Sequence, residues 1–189
     1  MPRVGRGGVD DRASLRLQQT RQHLQSLVAA QERSAESDVW PAARELLDDL
    51  RDLDDLGQAP SGTDAWLAQL SSSTAGRTFA ALCWVRDVAL ADRVDLTALP
   101  WIRSSDLVDV GNGTWLPLKA SGAMDGGPTP PTVHVDALLW PELADLPGGP
   151  GEPNHRDEWY DEFVAMRSLV EPIRVAVEWA EDALGRADG

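Results

Sequence analysis

The sequence predicts a mostly α-helical protein, a bundle of five to six helices carrying a small β-hairpin and a Pro/Gly-rich insert. Three patterns lead to that class. Trp159, Phe163, Met166, Val170, Ile173, Val177, Ala180 and Leu184 recur at alternating steps of four and three, the spacing of a helix buried along one edge by other helices. Val39, Ala43, Leu46, Leu50 and Leu53 keep the same rhythm earlier in the chain. Between them, residues 104–155 hold eight of the 13 prolines and eight of the 16 glycines, a density that breaks regular structure.

The elements follow in order. Residues 1–10 read as a disordered basic tail and 11–189 as a single helical domain, since 189 residues, 42% of them hydrophobic, suffice for one core. A first helix is expected over 11–35, where Leu17, Leu24, Leu27 and Val28 form a narrow apolar stripe among good helix formers. A second runs from a cap at Ser37 or Asp38, with Pro41 in its first turn, to a stop at Gly57. A short amphipathic helix over 63–72 presents Trp66, Leu67 and Leu70 on one side. The segment 76–93 is apolar nearly all round in its middle, which marks a central, buried helix.

The insert reads as loops carrying little structure. "DLVDVGNGTWLPL" (residues 106–118) gives two short strands about Asn112-Gly113, a dipeptide suited to a tight turn. "AMDGGPTPP" (residues 123–131) reads as a flexible strap or binding loop, because its prolines remove amide donors. One further short helix is expected at about 135–146. The last segment, 155–184, reads as one long helix, kinked at Pro172 or restarted there in a nearly collinear piece.

Composition narrows the function. The net charge is −14, from 31 acidic and 17 basic side chains, which disfavours nucleic acid because affinity for phosphate backbones comes mainly from Lys and Arg. Residues 1–35 carry plus 3, leaving minus 17 for the rest. The first residues lack the apolar run of a signal peptide, and nowhere do 18 apolar residues follow one another. A cytoplasmic protein off the membrane is therefore expected. Cys83, the single cysteine, lies in an apolar run and reads as a core residue rather than a nucleophile.

Catalytic constellations are hard to assemble. His155, Asp157, Glu158, Asp161 and Glu162 crowd the start of the last helix, yet the helical wheel turns Asp157, Glu158 and Asp161 away from the seam and leaves His155 and Glu162 at its flanks, so most of the cluster faces water. Di-iron bundles need Glu-x-x-His on two helices, and only Glu152 with His155 matches. His134 beside Asp136 reads as a structural histidine. No phosphate loop, nucleophile elbow or zinc motif is present, and no cofactor or metal is expected. An all-helical magnesium-dependent hydrolase of small phosphorylated substrates is the alternative, using Glu158 with Asp161 and Glu178 with Glu181. It requires two pairs about 30 Å apart along a continuous helix to converge.

The leading expectation is a non-enzymatic acidic interaction protein: an adaptor, inhibitor or immunity-type partner of a basic protein surface. Glu45, Asp48, Asp49, Asp52, Asp54 and Asp55 ride beside the leucine seam of the second helix. Among eight tryptophans, Trp101 and Trp115 in and near the insert are the ones expected to be exposed as anchors. The partner-binding candidates are thus Asp48, Asp49, Asp52, Asp55, Trp101 and Trp115. Homodimerisation through spare heptad surface on the first or last helix is a third reading.

Overall fold

A computed structural model describes residues 7–33, 36–91, 99, 101–103, 107–109, 115–117, 138–146 and 155–185. The protein is mostly helical, with six α-helices among the described residues: α1 (Gly7–Glu32), α2 (Glu36–Ser61), α3 (Thr63–Ser71), α4 (Thr74–Ala91), α5 (Arg156–Phe163) and α6 (Val170–Gly185). Short strands, β1 (Ile102–Arg103), β2 (Leu107–Asp109), β3 (Trp115–Pro117) and β4 (Leu138–Leu139), lie between α4 and α5. The helix α4 is the hub. It packs against α2, α3, α5 and α6, while α1 lies on α2 and α6. Its apolar circumference explains the position, since Phe79, Ala80, Ala81, Leu82, Cys83, Trp84 and Val85 are all buried.

The seam of α2 also packs as its spacing requires, with Val39, Ala43, Leu46, Leu50 and Leu53 in the core. The helix does not stop at Gly57, however. It continues to Ser61, and Pro41 sits inside it rather than in a first turn. The glycine serves a contact instead of a cap: a Cβ at position 57 would lie 2.3 Å from the Trp66 indole. The turn into α3 falls at Gly62, whose φ of 78° favours glycine. Helix α1 begins at Gly7, so Gly7 to Asp10 of the expected tail are helical, while residues 1–6 lie outside the described residues.

Among the described residues between α4 and α5 are two antiparallel pairs. The expected hairpin is present, with Leu107 opposite Pro117, Val108 opposite Leu116 and Asp109 opposite Trp115. The Asn112-Gly113 turn and the 123–131 strap lie outside the described residues. A second pair joins Ile102 to Leu139 and Arg103 to Leu138. Of the helix expected at 135–146, residues 138–146 are described, and they form β4 and a 3-10 turn, Leu143–Asp145, instead. Pro141 has no amide to give a helix, and the backbone of this segment is engaged elsewhere.

That engagement also breaks the last helix in two. Trp140 N–H donates to the Arg167 carbonyl (3.0 Å), Met166 N–H to the Trp140 carbonyl (3.0 Å) and Leu169 N–H to the Leu138 carbonyl (2.7 Å). The Trp140 indole donates to the Leu169 carbonyl at 3.2 Å, and Met166 adopts a φ of 59°. Residues 164–169 thus form a turn with sheet-like bonds, and the break precedes Pro172 instead of falling on it. Pro172 occupies the first turn of α6, where its missing amide costs nothing. The long seam survives in α6 through Val170, Ile173, Val177 and Ala180. In α5 it rotates: Asp157 and Tyr160 are buried, with Val164 just beyond, whereas Trp159 and Phe163 are half-buried. Asp157 therefore does not face water as the unbroken wheel requires.

Two consequences are measurable. Alanine at position 57 gains about 1 kcal/mol of helix propensity but collides with the Trp66 ring. Gly57→Ala is accordingly expected to lose about 2 kcal/mol or more in urea denaturation, the sign deciding between propensity and packing. Burial pushes the Cys83 thiol well above its ordinary value of 9.0, with Asp54 adding to the rise and Arg156 and Arg51 opposing it. Above that pH the unfolded chain ionises first, so the thiol's contribution is intact below 9.0 and declines as the pH rises further. The native protein should resist iodoacetamide, and Cys83→Ala should flatten the loss of stability above pH 9.0.

Candidate functional site

The face of α2 beside its leucine seam is the expected binding stripe, and the fold divides its acids into two kinds. Asp49 and Asp54 are buried, at 2% and 1% exposure. On a helix Asp49 stands three residues after Leu46 and four before Leu53, and Asp54 four after Leu50, which draws both toward the packed side. A carboxylate taken from water must be met by donors, and both are. Asp49 accepts from Arg16 Nη1 at 2.9 Å and contacts His23 Nδ1 at 2.7 Å, two residues of α1. Asp54 accepts from the Trp66 indole at 2.7 Å and from Gln58 at 3.2 Å. Arg51 and Arg156 lie 3.4 and 3.6 Å from it.

The remaining acids of the stripe stand at the rim. The side chains of Glu45, Asp48, Asp52 and Asp55 are 59, 43, 49 and 62% exposed. Asp52 meets Arg16 at 2.5 Å, Asp55 meets Arg51 at 2.5 Å, Asp48 meets Arg86 of α4 at 2.9 Å, and Glu45 lies 3.6 Å from His23. Arg51 and Arg86 also share Asp87. Seven carboxylates thus meet four guanidiniums and one imidazole, so the network keeps a negative excess while its arginines fix the carboxylate directions. Each exposed pair is worth at most about 1 kcal/mol, whereas the buried acids cannot lose a partner cheaply.

The tryptophan candidates stand differently. Trp101 is half-buried between Trp40 and Trp140, with ring centroids 5.0 and 4.8 Å away, so it closes the edge of the core. Trp115 lies on β3 opposite Asp109, and its side chain is outside the described residues. His134 is likewise outside them.

The crowded start of α5 resolves into ordinary surface chemistry plus one buried acid. His155 stands at the N-terminal boundary of the helix with φ 61° and no side-chain capping bond, and its Nδ1 lies 3.1 Å from Glu158, both side chains well exposed. Asp161 and Glu178 are exposed, and Glu181 is engaged by Arg21 of α1. Among the described residues no three His, Cys, Asp or Glu gather where a metal ion could be held, so the convergence that a magnesium site requires is not seen. Tyr160 donates to the Pro141 carbonyl at 2.6 Å, and burial, with Asp161 and Asp145 nearby, pushes its phenol well above the ordinary range. It is a structural donor.

A shallow groove of about 380 Å³ opens where α1 crosses the C-terminal half of α2. Arg12, Leu15 and Arg16 line it from α1, and Asp52, Asp55 and Leu56 from α2. Leu15, 58% exposed, is the large apolar side chain left in solvent among the described residues. The groove escapes a reading of the sequence because its arginines belong to a helix that packs beside α2 only in the fold. No helix among the described residues is long and apolar enough to cross a membrane. The chain matches no family model, no curated protein and no solved structure. Removing the carboxylate in Asp54→Ala leaves the Trp66 indole and a nearby arginine facing an apolar gap. A loss of about 3–5 kcal/mol in chemical denaturation is expected.

Proposed function

We propose that this chain is a non-enzymatic interaction protein that offers the rim acids of α2 to a basic surface on another protein. The supporting observation is the division of the acidic stripe: Asp49 and Asp54 are consumed by the fold, while Glu45, Asp48, Asp52 and Asp55 remain solvent-accessible and directed by their basic neighbours. A carboxylate with one oxygen tied to an arginine keeps lone pairs for a second donor, so such a face can accept Lys or Arg without rearranging. Pre-set directions lower the ordering cost of binding, and the negative excess speeds encounter with a basic partner. The roles of adaptor, inhibitor and immunity-type partner share this chemistry. A cytoplasmic location accords with a chain that has a single cysteine and so no intrachain disulfide.

The test is a pull-down from native lysate with wild type and with the combined variant Glu45→Gln, Asp48→Asn, Asp52→Asn and Asp55→Asn. A protein retained by wild type at low salt, released by about 0.5 M NaCl and not retained by the variant supports the proposal. Absence of any salt-sensitive partner, or equal capture by the variant, overturns it.

A further inference from the structure

The groove between α1 and α2 has a property that a basic partner does not use. Its charges are divided by helix, Arg12 and Arg16 from α1 and Asp52 and Asp55 from α2, with Arg16 already paired to Asp52 within one copy, so it is locally neutral and polar in direction. Leu15 of α1 is 58% exposed, and Leu56 of α2, which also lines the groove, is half-buried. A two-fold axis reverses direction, so a second groove laid over the first brings the arginines of each copy against the other copy's aspartates. It also brings Leu15 of each copy toward Leu56 of the other. A self-complementary patch of this kind meets the requirement of an isologous contact.

We infer that this groove is a homodimer contact, with Arg12 of each copy facing Asp55 of the other and Leu15 seated on the partner's Leu56. Charge complementarity selects a second copy as occupant of the groove, because its opposite charges are matched by the same pattern reversed; Asp52 and Asp55 are shared with the acid face, so the dimer and a basic partner compete for them. The groove is small beside the roughly 800 Å² per partner of a standard interface, so the dimer is weak, with a dissociation constant of the order of micromolar or above. Two chains of net charge −14 also repel each other at long range. Added salt therefore strengthens this contact, the opposite of its effect on a basic partner.

Sedimentation of the full chain from about 1 µM to 500 µM tests the inference, since that range spans weak association. Wild type should pass from monomer to dimer, more readily at about 0.5 M than at about 0.05 M NaCl, by the screening above. Arg12→Glu alone, Asp55→Arg alone and Leu15→Glu alone should each weaken association about tenfold or more. Mixing the Arg12→Glu chain with the Asp55→Arg chain should restore it. A two-fold contact then sets the introduced glutamate of one chain against the introduced arginine of the other, and keeps the native pair of Asp55 and Arg12 at its second copy. Circular dichroism confirms that these exposed substitutions leave the fold intact. A monomer across the whole range overturns the inference, as does a dimer indifferent to Arg12→Glu and Leu15→Glu, or a mixture that fails to recover. Asp55 belongs to both surfaces, whereas Arg12 and Leu15 lie outside the acid face assigned to a partner, so Arg12→Glu and Leu15→Glu separate failure here from failure of the proposed function.

Discussion

Two carboxylates on one helix face, Asp49 and Asp54, are taken out of water, and the arrangement of the other helices answers to that. Each must be surrounded by donors, and the donors come from three different elements: Arg16 and His23 from α1, the Trp66 indole from α3, and Arg156 from the start of α5. Hydrophobic burial sets how tightly α2, α4 and α6 pack, but it is non-directional and does not fix register. A buried acid with specific partners does fix register: a one-turn slip of α1 in one direction sets Thr20 in place of Arg16, and in the other Arg12 follows Arg16 but Gln19 replaces His23 at Asp49. Close backbone approaches complete the constraint: Gly57 admits the Trp66 ring that reaches Asp54, and at Gly76 a Cβ would stand 2.4 Å from the Leu70 carbonyl.

Much of the bundle is legible in the sequence because its signals are periodic. The seams of α2 and α6 and the all-round apolarity of α4 state which face is buried wherever a helix is continuous. The readings that fail share one cause, contacts between residues far apart in sequence. The break at 164–169 depends on Trp140 lending its backbone to Met166 and Arg167, 26 and 27 positions later, and no local feature of "VAMRSL" reports that. Once the helix is interrupted, the wheel loses phase, which is why Asp157 turns inward. Gly57 misleads for a related reason. Glycine marks both helix ends and close approaches, and only the position of Trp66 distinguishes them.

The candidate site is half legible. The acids are visible as a stripe, and the positions of Asp49 and Asp54 relative to Leu46, Leu50 and Leu53 already lean toward the core. The arginines that meet them are not visible as partners, since Arg16, Arg86 and Arg156 belong to segments whose packing the sequence does not state. The physical picture changes accordingly. A stripe that reads as uniformly available divides into acids that hold the bundle and acids that stand at its edge, with an energetic gap between a buried and an exposed ion pair. Trp101 moves the same way, from expected anchor to part of a three-tryptophan edge.

The buried carboxylates, rather than apolar contact alone, dock the outer helices onto α2. Hydrogen exchange measured by mass spectrometry on Asp49→Asn tests it most directly, because exchange reports the stability of each helix separately. Loss of the charge that Arg16 and His23 require should raise exchange through α1 by about 100-fold, with α4 and α6 unchanged. Unaltered protection in α1, or an equal rise in every helix, would contradict the account.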